Sequence, residues 1–278
     1  MWGISIFAAK FLKMEDGLMG WDDAGSHQRD ASLLTKMYGN EEEGLRQPFS
    51  SEAGYDDSVS SSRSHFVDVP HVRQLCNWDC GLACVLMVLR TFGMNDFSIH
   101  DLEEFCCTTS IWTVDLAYLL KKFSIKFSFF TVTLGANPDF SSEAFYKVVN
   151  TLFEEALEAG IRIEHRSLSG NDISLLMLSG GYIAIALVDK YKLSHSCAKD
   201  LYLPELCDGR PNYIGHFIVI CGYDGEKDEF DIRDPASSRK QERIPLACLE
   251  VARKSFGTDE DILLISLNGE GPEVRLPG

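Results

Sequence analysis

The chain reads as an α+β protein, helices first and an antiparallel sheet after, on three observations. A long apolar helical run follows Asp79-Cys80, and a continuously apolar stretch from Tyr182 to Val188 has the composition of a strand buried on both faces. Farther on, His216 to Tyr223, the turn Asp224-Gly-Glu-Lys-Asp228 and Glu229 to Arg233 make a β-hairpin pattern. Helical segments gathered ahead of strands point to an α+β layering rather than alternating βαβ units.

The elements follow in order from Val69-Pro70, where the sequence becomes regular. Trp78-Asp79 reads as a turn, and Gly81–Thr91 as a helix closed near Gly93. Ser98 caps a short helix with Asp101 at the capping-box position. Ser110 or Thr113 caps a third helix that runs through Leu119 to Lys121 and Lys122. Ile125 to Leu134 alternates as a strand. Ser141 or Ser142 starts a helix that reaches Leu157 and closes at Gly160. Ile161–Glu164 is a short strand, and Asn171–Leu178 a helix ended by Gly180-Gly181. After the buried strand and the hairpin, Ile244–Phe256 reads as helical and Ile262–Leu267 as the last strand. One domain is expected over residues 66–268, with a short tail over 269–278.

Residues 1–65 differ in composition. Glu41-Glu42-Glu43, Asp56-Asp57 and the serine run from Ser58 to Ser64 leave little to bury, which predicts a flexible acidic arm behind a short apolar start. That arm is the segment expected to meet a protein partner. The apolar start lacks the basic leading region and cleavage site of a signal peptide. No run approaches the ~18–20 apolar residues of a membrane span. A formal charge of −16 argues against a nucleic-acid binder, since there is no basic field to displace phosphate counterions. The nine cysteines are odd in number, and Cys84, Cys221 and Cys248 lie inside apolar runs. Reduced thiols in a cytoplasmic protein are expected. No paired C-x-x-C zinc pattern occurs.

The chemistry concentrates in Gln74-Leu-Cys-Asn-Trp-Asp-Cys80-Gly81-Leu-Ala-Cys84, answered downstream by Gly215-His216 and by Asp234. Cys80 opens a helix, where free N–H groups and the helix dipole favour a thiolate. His216 leads a strand and can act as the base, and Asp234, held before Pro235, can orient it. Gln74 can offer a side-chain N–H to an oxyanion beside the N–H of Cys80. Gly81 would let a substrate approach closely, and Cys84 reads as core. Papain-like cysteine hydrolases need these parts in this chain order, so the fold is expected to be papain-like. A peptide or amide substrate would follow. Asp224, Asp228, Asp231 and Asp234 gather around the hairpin and could hold a divalent ion. Turn carboxylates are also commonly just solvated. His100, His165 and His195 fit structural or loop positions. No phosphate-binding loop and no dinucleotide fingerprint is present.

Four phrases resemble the guanylyl cyclase domain-containing family, its plant members above all. They are Gln74 through Cys84, Ser110-Ile-Trp-Thr-Val-Asp-Leu-Ala-Tyr-Leu119, Gly215-His-Phe-Ile-Val-Ile-Cys-Gly-Tyr223 and Ser255-Phe-Gly-Thr-Asp-Glu-Asp-Ile-Leu263. The resemblance implies conversion of GTP into cyclic GMP and pyrophosphate with Mg²⁺ or Mn²⁺, and the metal candidates would be Asp224 and Asp231. The short pattern of plant cyclase centres is met by Ser110, Trp112-Thr113-Val114 and Lys121 or Lys122, with the basic position one residue farther out. On that reading Thr113 faces guanine and a lysine faces phosphate. The same residues also make an amphipathic helix with Trp112, Leu116 and Leu119 inward and both lysines in water. The cysteine, histidine and aspartate phrases are similar, too, to papain-like peptidases that process double-glycine leaders. Cyclase, thiol hydrolase and non-catalytic binding module are therefore the three functions open at this point.

Overall fold

The computed structural model describes residues 63–106, 111–135, 144–195 and 213–268. Eight strands form one sheet in the order β3-β2-β8-β4-β5-β6-β7, with β1 also on β5. They are β1 (Ser64–Phe66), β2 (Phe127–Thr131), β3 (Ile163–His165), β4 (Tyr182–Asp189), β5 (Gly215–Asp224), β6 (Glu229–Arg233), β7 (Glu242–Pro245) and β8 (Ile262–Ser266). All pairings are antiparallel except β2 with β3, which is parallel. The helices are α1 (Cys80–Thr91), α2 (Ile99–Cys106), α3 (Thr113–Lys122), α4 (Ala144–Glu158), α5 (Gly170–Leu178), α6 (Lys190–His195) and α7 (Leu246–Arg253).

The sheet is covered on both faces, and the period-2 alternation of its strands divides the core in two. Ile183, Ile185, Val219, Cys221, Leu263 and Ile265 point into the layer of α1 to α4. Their neighbours Ala184, Ala186, Ile218, Ile220, Ile262 and Leu264 point to α5 and α7. Two buried faces explain why β4 is apolar without interruption. Helix α1 is buried from Cys80 to Leu89, so its sequence is apolar all round rather than striped. This places the start of a central helix against the middle of the sheet. The result is the expected α+β architecture in its papain-like arrangement, with a cysteine opening the leading helix and a histidine supplied by the sheet.

Several boundaries differ from the sequence expectation. Ile244 pairs with Phe230 in β7, and Pro245 caps α7, so the segment over 244–256 is a strand followed by a shorter helix. Thr113 is the first residue of α3 rather than its cap; Trp112 N donates to the Asp115 carboxylate at 2.9 Å. His195 ends α6 instead of lying in a loop. Ser64 and His65, assigned to the arm, belong to β1. Ser110, Ser141, Ser142 and Cys197 lie outside the described residues, as do 1–62 and 269–278.

Strand β1 lies on β5 beyond the irregularity between Ile220 and Gly222. A Cβ at Gly222 would stand 2.6 Å from His65 O and 2.6 Å from Phe66 Cδ1. Gly222→Ala is therefore expected to lift β1 and to destabilise the protein by about 1–3 kcal/mol, read as a lower Tm in thermal melting. An unchanged Tm would contradict this docking.

Candidate active site

Asp79 builds the approach to α1. Buried at 2 % exposure, its carboxylate accepts from Leu75 N at 3.1 Å and from Cys76 N at 3.0 Å. It is thus spent on the preceding loop, and α1 starts without a side-chain cap and without an acidic residue in its first turn. The first-turn N–H groups, that of Cys80 among them, have no helical acceptor. An uncapped positive helix end at a cysteine favours negative charge on sulfur or on an oxyanion formed there.

The sheet brings the other parts. His216, second residue of β5 and 2 % exposed, bonds through Nε2 to Asp234 Oδ1 at 2.7 Å. The ring also makes a side-chain hydrogen bond with Cys80. With Nε2 committed to the carboxylate, Nδ1 is the nitrogen left for the sulfur. Burial alone would push the imidazole down. The hydrogen bonds and negative charge of Asp234 and Cys80 overcome it and raise the ring to about 9. Asp234 moves the other way. Burial opposes its ionisation, but the bond and charge of His216 and a 2.7 Å bond from Ala236 N hold it below the ordinary aspartate value. Both shifts express one ion pair. At neutral pH the ring is a cation facing the cysteine, the counter-charge that a thiolate nucleophile requires.

Asp234 is tied at its backbone as well. His71 Nε2 lies 2.9 Å from Asp234 O, and Gln74 N donates to Pro235 O at 2.9 Å. The loop before the nucleophile is thereby fastened to the turn that carries the carboxylate. Gln74 itself departs from expectation. Its Nε2 donates to Cys76 O at 2.5 Å, so one of its two N–H bonds serves its own loop, and its Oε1 is buried without a partner. Gly81 is packed, not open: a Cβ there would meet Leu116 and Phe217 at 3.0–3.1 Å. Cys84, one turn below, is fully buried, and burial with the nearby Cys80 and Asp234 charges raises its thiol well above the usual range. It is core, as expected.

The nucleotide and metal candidates are placed apart from this centre. Thr113 is buried at 3 % exposure. Lys121 Nζ donates to Ala159 O, and Lys122 Nζ lies 4.5 Å from the centre of the Phe105 ring. Both lysines are half-buried against neighbouring side chains and backbone rather than extended into water, while Leu116 and Leu119 are core. Asp224 accepts from Ser64 Oγ, Glu226 N and Arg243 Nη1, and Asp231 pairs with the buried Arg233 at 2.9 Å. Asp228 accepts from Tyr223. Mg²⁺ or Mn²⁺ needs several converging oxygen ligands. Among the described residues no group of three or more His, Cys, Asp or Glu is arranged for one. The expected pair therefore does not fit the ion. His100 pairs with Glu103 on the surface of α2, and His165 bonds Val132 O at 2.8 Å.

Sequence reasoning missed His71 and Tyr213. Tyr213 flanks the histidine strand: Cβ atoms built at Gly215 and Gly257 would each stand 2.9 Å from its side chain. Burial and the negative charge of Asp261, Asp259, Asp189 and Cys80 push its phenol well above the usual value. Only its place before Gly215-His216 could have signalled it.

Comparison with known proteins adds the following. The family model described as guanylylate cyclase matches residues 69–265. Guanylyl cyclase 1 of Arabidopsis thaliana is 56% identical over 275 residues, covering 96% of this chain and 97% of that protein. Among solved structures, a C39-like peptidase from Bacillus anthracis aligns with a TM-score of 0.42 at 12% identity, over 73% of this chain and 96% of that one. The peptidase domain of Streptococcus ComA, a bifunctional ABC transporter, aligns with a TM-score of 0.38 at 15% identity, over 72% and 98%. Among the described residues no helix is long and apolar enough to cross a membrane. The family model spans well over half of the sequence and the Arabidopsis relative nearly all of it: the chain belongs to the guanylyl cyclase family.

Proposed function

We propose that this chain is an enzyme that works through the Cys80 sulfur, cleaving an amide or peptide bond. One observation carries this reading: a buried His216 whose Nε2 is held by Asp234 at 2.7 Å and whose ring bonds Cys80. The thiolate attacks the carbonyl carbon, a C–S bond forms, and the oxygen takes the negative charge at the N-terminus of α1. The imidazolium then gives its proton to the leaving nitrogen as the C–N bond breaks. Water, deprotonated by the now neutral ring, attacks the thioester, releases the acid and restores the thiolate–imidazolium pair. Asp234 keeps the ring oriented throughout.

Family membership favours a second reading. The chain would convert GTP into 3′,5′-cyclic GMP and pyrophosphate, the ribose 3′-oxygen bonding to the α-phosphorus as the bond to pyrophosphate breaks. Thr113, Lys121, Lys122, Asp224 and Asp231 are already engaged or buried, so on this reading the nucleotide sits elsewhere.

One experiment separates the two. Purified wild type and Cys80→Ala are compared with GTP in the presence of Mg²⁺, Mn²⁺ or EDTA, and with a peptide-amide library, products being identified by mass. The expected result is amide cleavage that disappears with Cys80. Metal-dependent cyclic GMP indifferent to Cys80→Ala, with no amide product, overturns the first reading and supports the second.

A further inference from the structure

A small pocket lies at the start of α3, lined by Trp112, Thr113, Thr133, Asp259 and Asp261 among others. Its polar groups are unfinished. Asp261 and Thr113 are 8 % and 3 % exposed, and Asp261 Oδ1 and Thr113 Oγ1 make no hydrogen bond. The Thr131 hydroxyl nearby donates to the carbonyls of Thr133 and Asp259. Asp259 Oδ1 accepts from Thr133 Oγ1 at 2.9 Å, which fixes the second carboxylate at the rim. Buried polar atoms without partners are costly, and a pair of them facing one space is a seat for a donor.

The pocket adjoins the nucleophile. Tyr213 packs against Gly257, two residues before Asp259, and against Gly215, beside His216. The same phenol feels the charge of Asp261 and Asp259 and that of Cys80. A ligand reaching from the pocket to the sulfur therefore passes along one tyrosine.

We propose that this pocket is a subsite for a primary ammonium group of the substrate, seated between Asp259 and Asp261 while the reacting carbonyl lies at Cys80. This rests on the thiol reading above. Size and charge select the group. The space is that of a single water-sized particle, too small for a guanidinium or a nucleobase. Two carboxylates exclude an anion. An ammonium brings three donors to Asp261 Oδ1, the Asp259 carboxylate and Thr113 Oγ1 at once.

The test is affinity alkylation of Cys80 in the full-length protein. A graded series of aminoalkyl chloroacetamides is compared with neutral alkyl chloroacetamides of matched length, in wild type, Asp261→Asn and Asp259→Asn. For one spacer the cationic reagent should react about tenfold faster and saturably, the size of one charge-assisted hydrogen bond. Methylammonium should compete, and both Asn variants should lose the advantage while the neutral rate stays unchanged. Equal rates in wild type overturn the proposal and leave the pocket as a water site. Competition by K⁺ equal to that by methylammonium overturns it in favour of a free-ion site. If Cys80 reacts with neither reagent the thiol reading itself fails, and thermal melting with methylammonium decides the pocket. A saturable rise in Tm that Asp261→Asn abolishes keeps the ammonium seat, and no rise overturns it.

Discussion

Cys80→Ala is expected to lower thiol-dependent amide cleavage by at least about 10⁴-fold, and His216→Ala by a similar factor, with the double variant no worse than either. Non-additivity is the diagnostic, because sulfur and ring act as one unit. Steady-state kcat/KM with a cleaved peptide measures it, and additive losses would mean that the two residues do not share a step. Asp234→Asn should leave the fold intact and cost about 10³–10⁴-fold, since the ring loses its orienting charge. It should also move the pH profile. The wild-type ring is raised to about 9, so the imidazolium that protonates the leaving group persists well above neutrality. Without the Asp234 charge, burial pulls the ring down, and the alkaline limb of kcat/KM should shift to lower pH. The same pair bears on stability with a definite sign. A histidine whose folded value exceeds its unfolded 6.5 stabilises fully below pH 6.5 and loses that contribution as pH rises through about 9. The contribution is on the order of 3 kcal/mol for the coupled pair, counted once.

Arg253 is where a single surface-distant substitution should cost most stability. The side chain is fully buried at the end of α7. Its guanidinium donates to Leu168 O, to Glu250 at 3.1 Å and to Glu260 at 3.4 Å, while its own carbonyl accepts from Thr258. One residue thus joins α7, the segment before α5 and the turn leading into β8. Arg253→Met keeps the length but leaves two carboxylates and a carbonyl without their cation. Breaking such a set by removing one partner should cost about 3–5 kcal/mol, measured as a loss in denaturant midpoint at unchanged m. By contrast Arg63 and Glu226, 3.7 Å apart with both side chains exposed, should be dispensable. A loss below about 1 kcal/mol for Arg253→Met would show that solvent already relieves the buried charge.

What the sequence disclosed follows from what is local. The helix after Cys80 and the hairpin of β5 and β6 were legible because periodicity and turn chemistry are written in neighbouring residues. So was the order of Cys80, His216 and Asp234, since each sits at an element end that its own neighbours define. Strand β7 was not legible: Glu242–Pro245 is four residues long, and its identity as a strand comes from pairing with β6. The same holds for β1, which exists through contacts with Gly222 and its neighbours. The metal reading of Asp224 and Asp231 failed for a related reason. A carboxylate's availability depends on which arginine folds against it, and Arg243 and Arg233 reach these two from positions that spacing does not reveal. His71 was invisible because its partner is a backbone carbonyl far along the chain.

The fastening of the Gln74 loop to Asp234 and Pro235 has a consequence for the life of the newly made chain. The cysteine is synthesised long before the histidine and aspartate that arm it. Until β5 and β6 dock beside α1, the sulfur has no imidazolium, and the loop before it has no anchor at Asp234 O or Pro235 O. An unfinished or truncated polypeptide therefore carries an ordinary thiol, and reactivity arrives only with the completed structure. Cysteine alkylation at neutral pH thus doubles as a conformational assay, reporting the fraction of molecules whose two halves have come together.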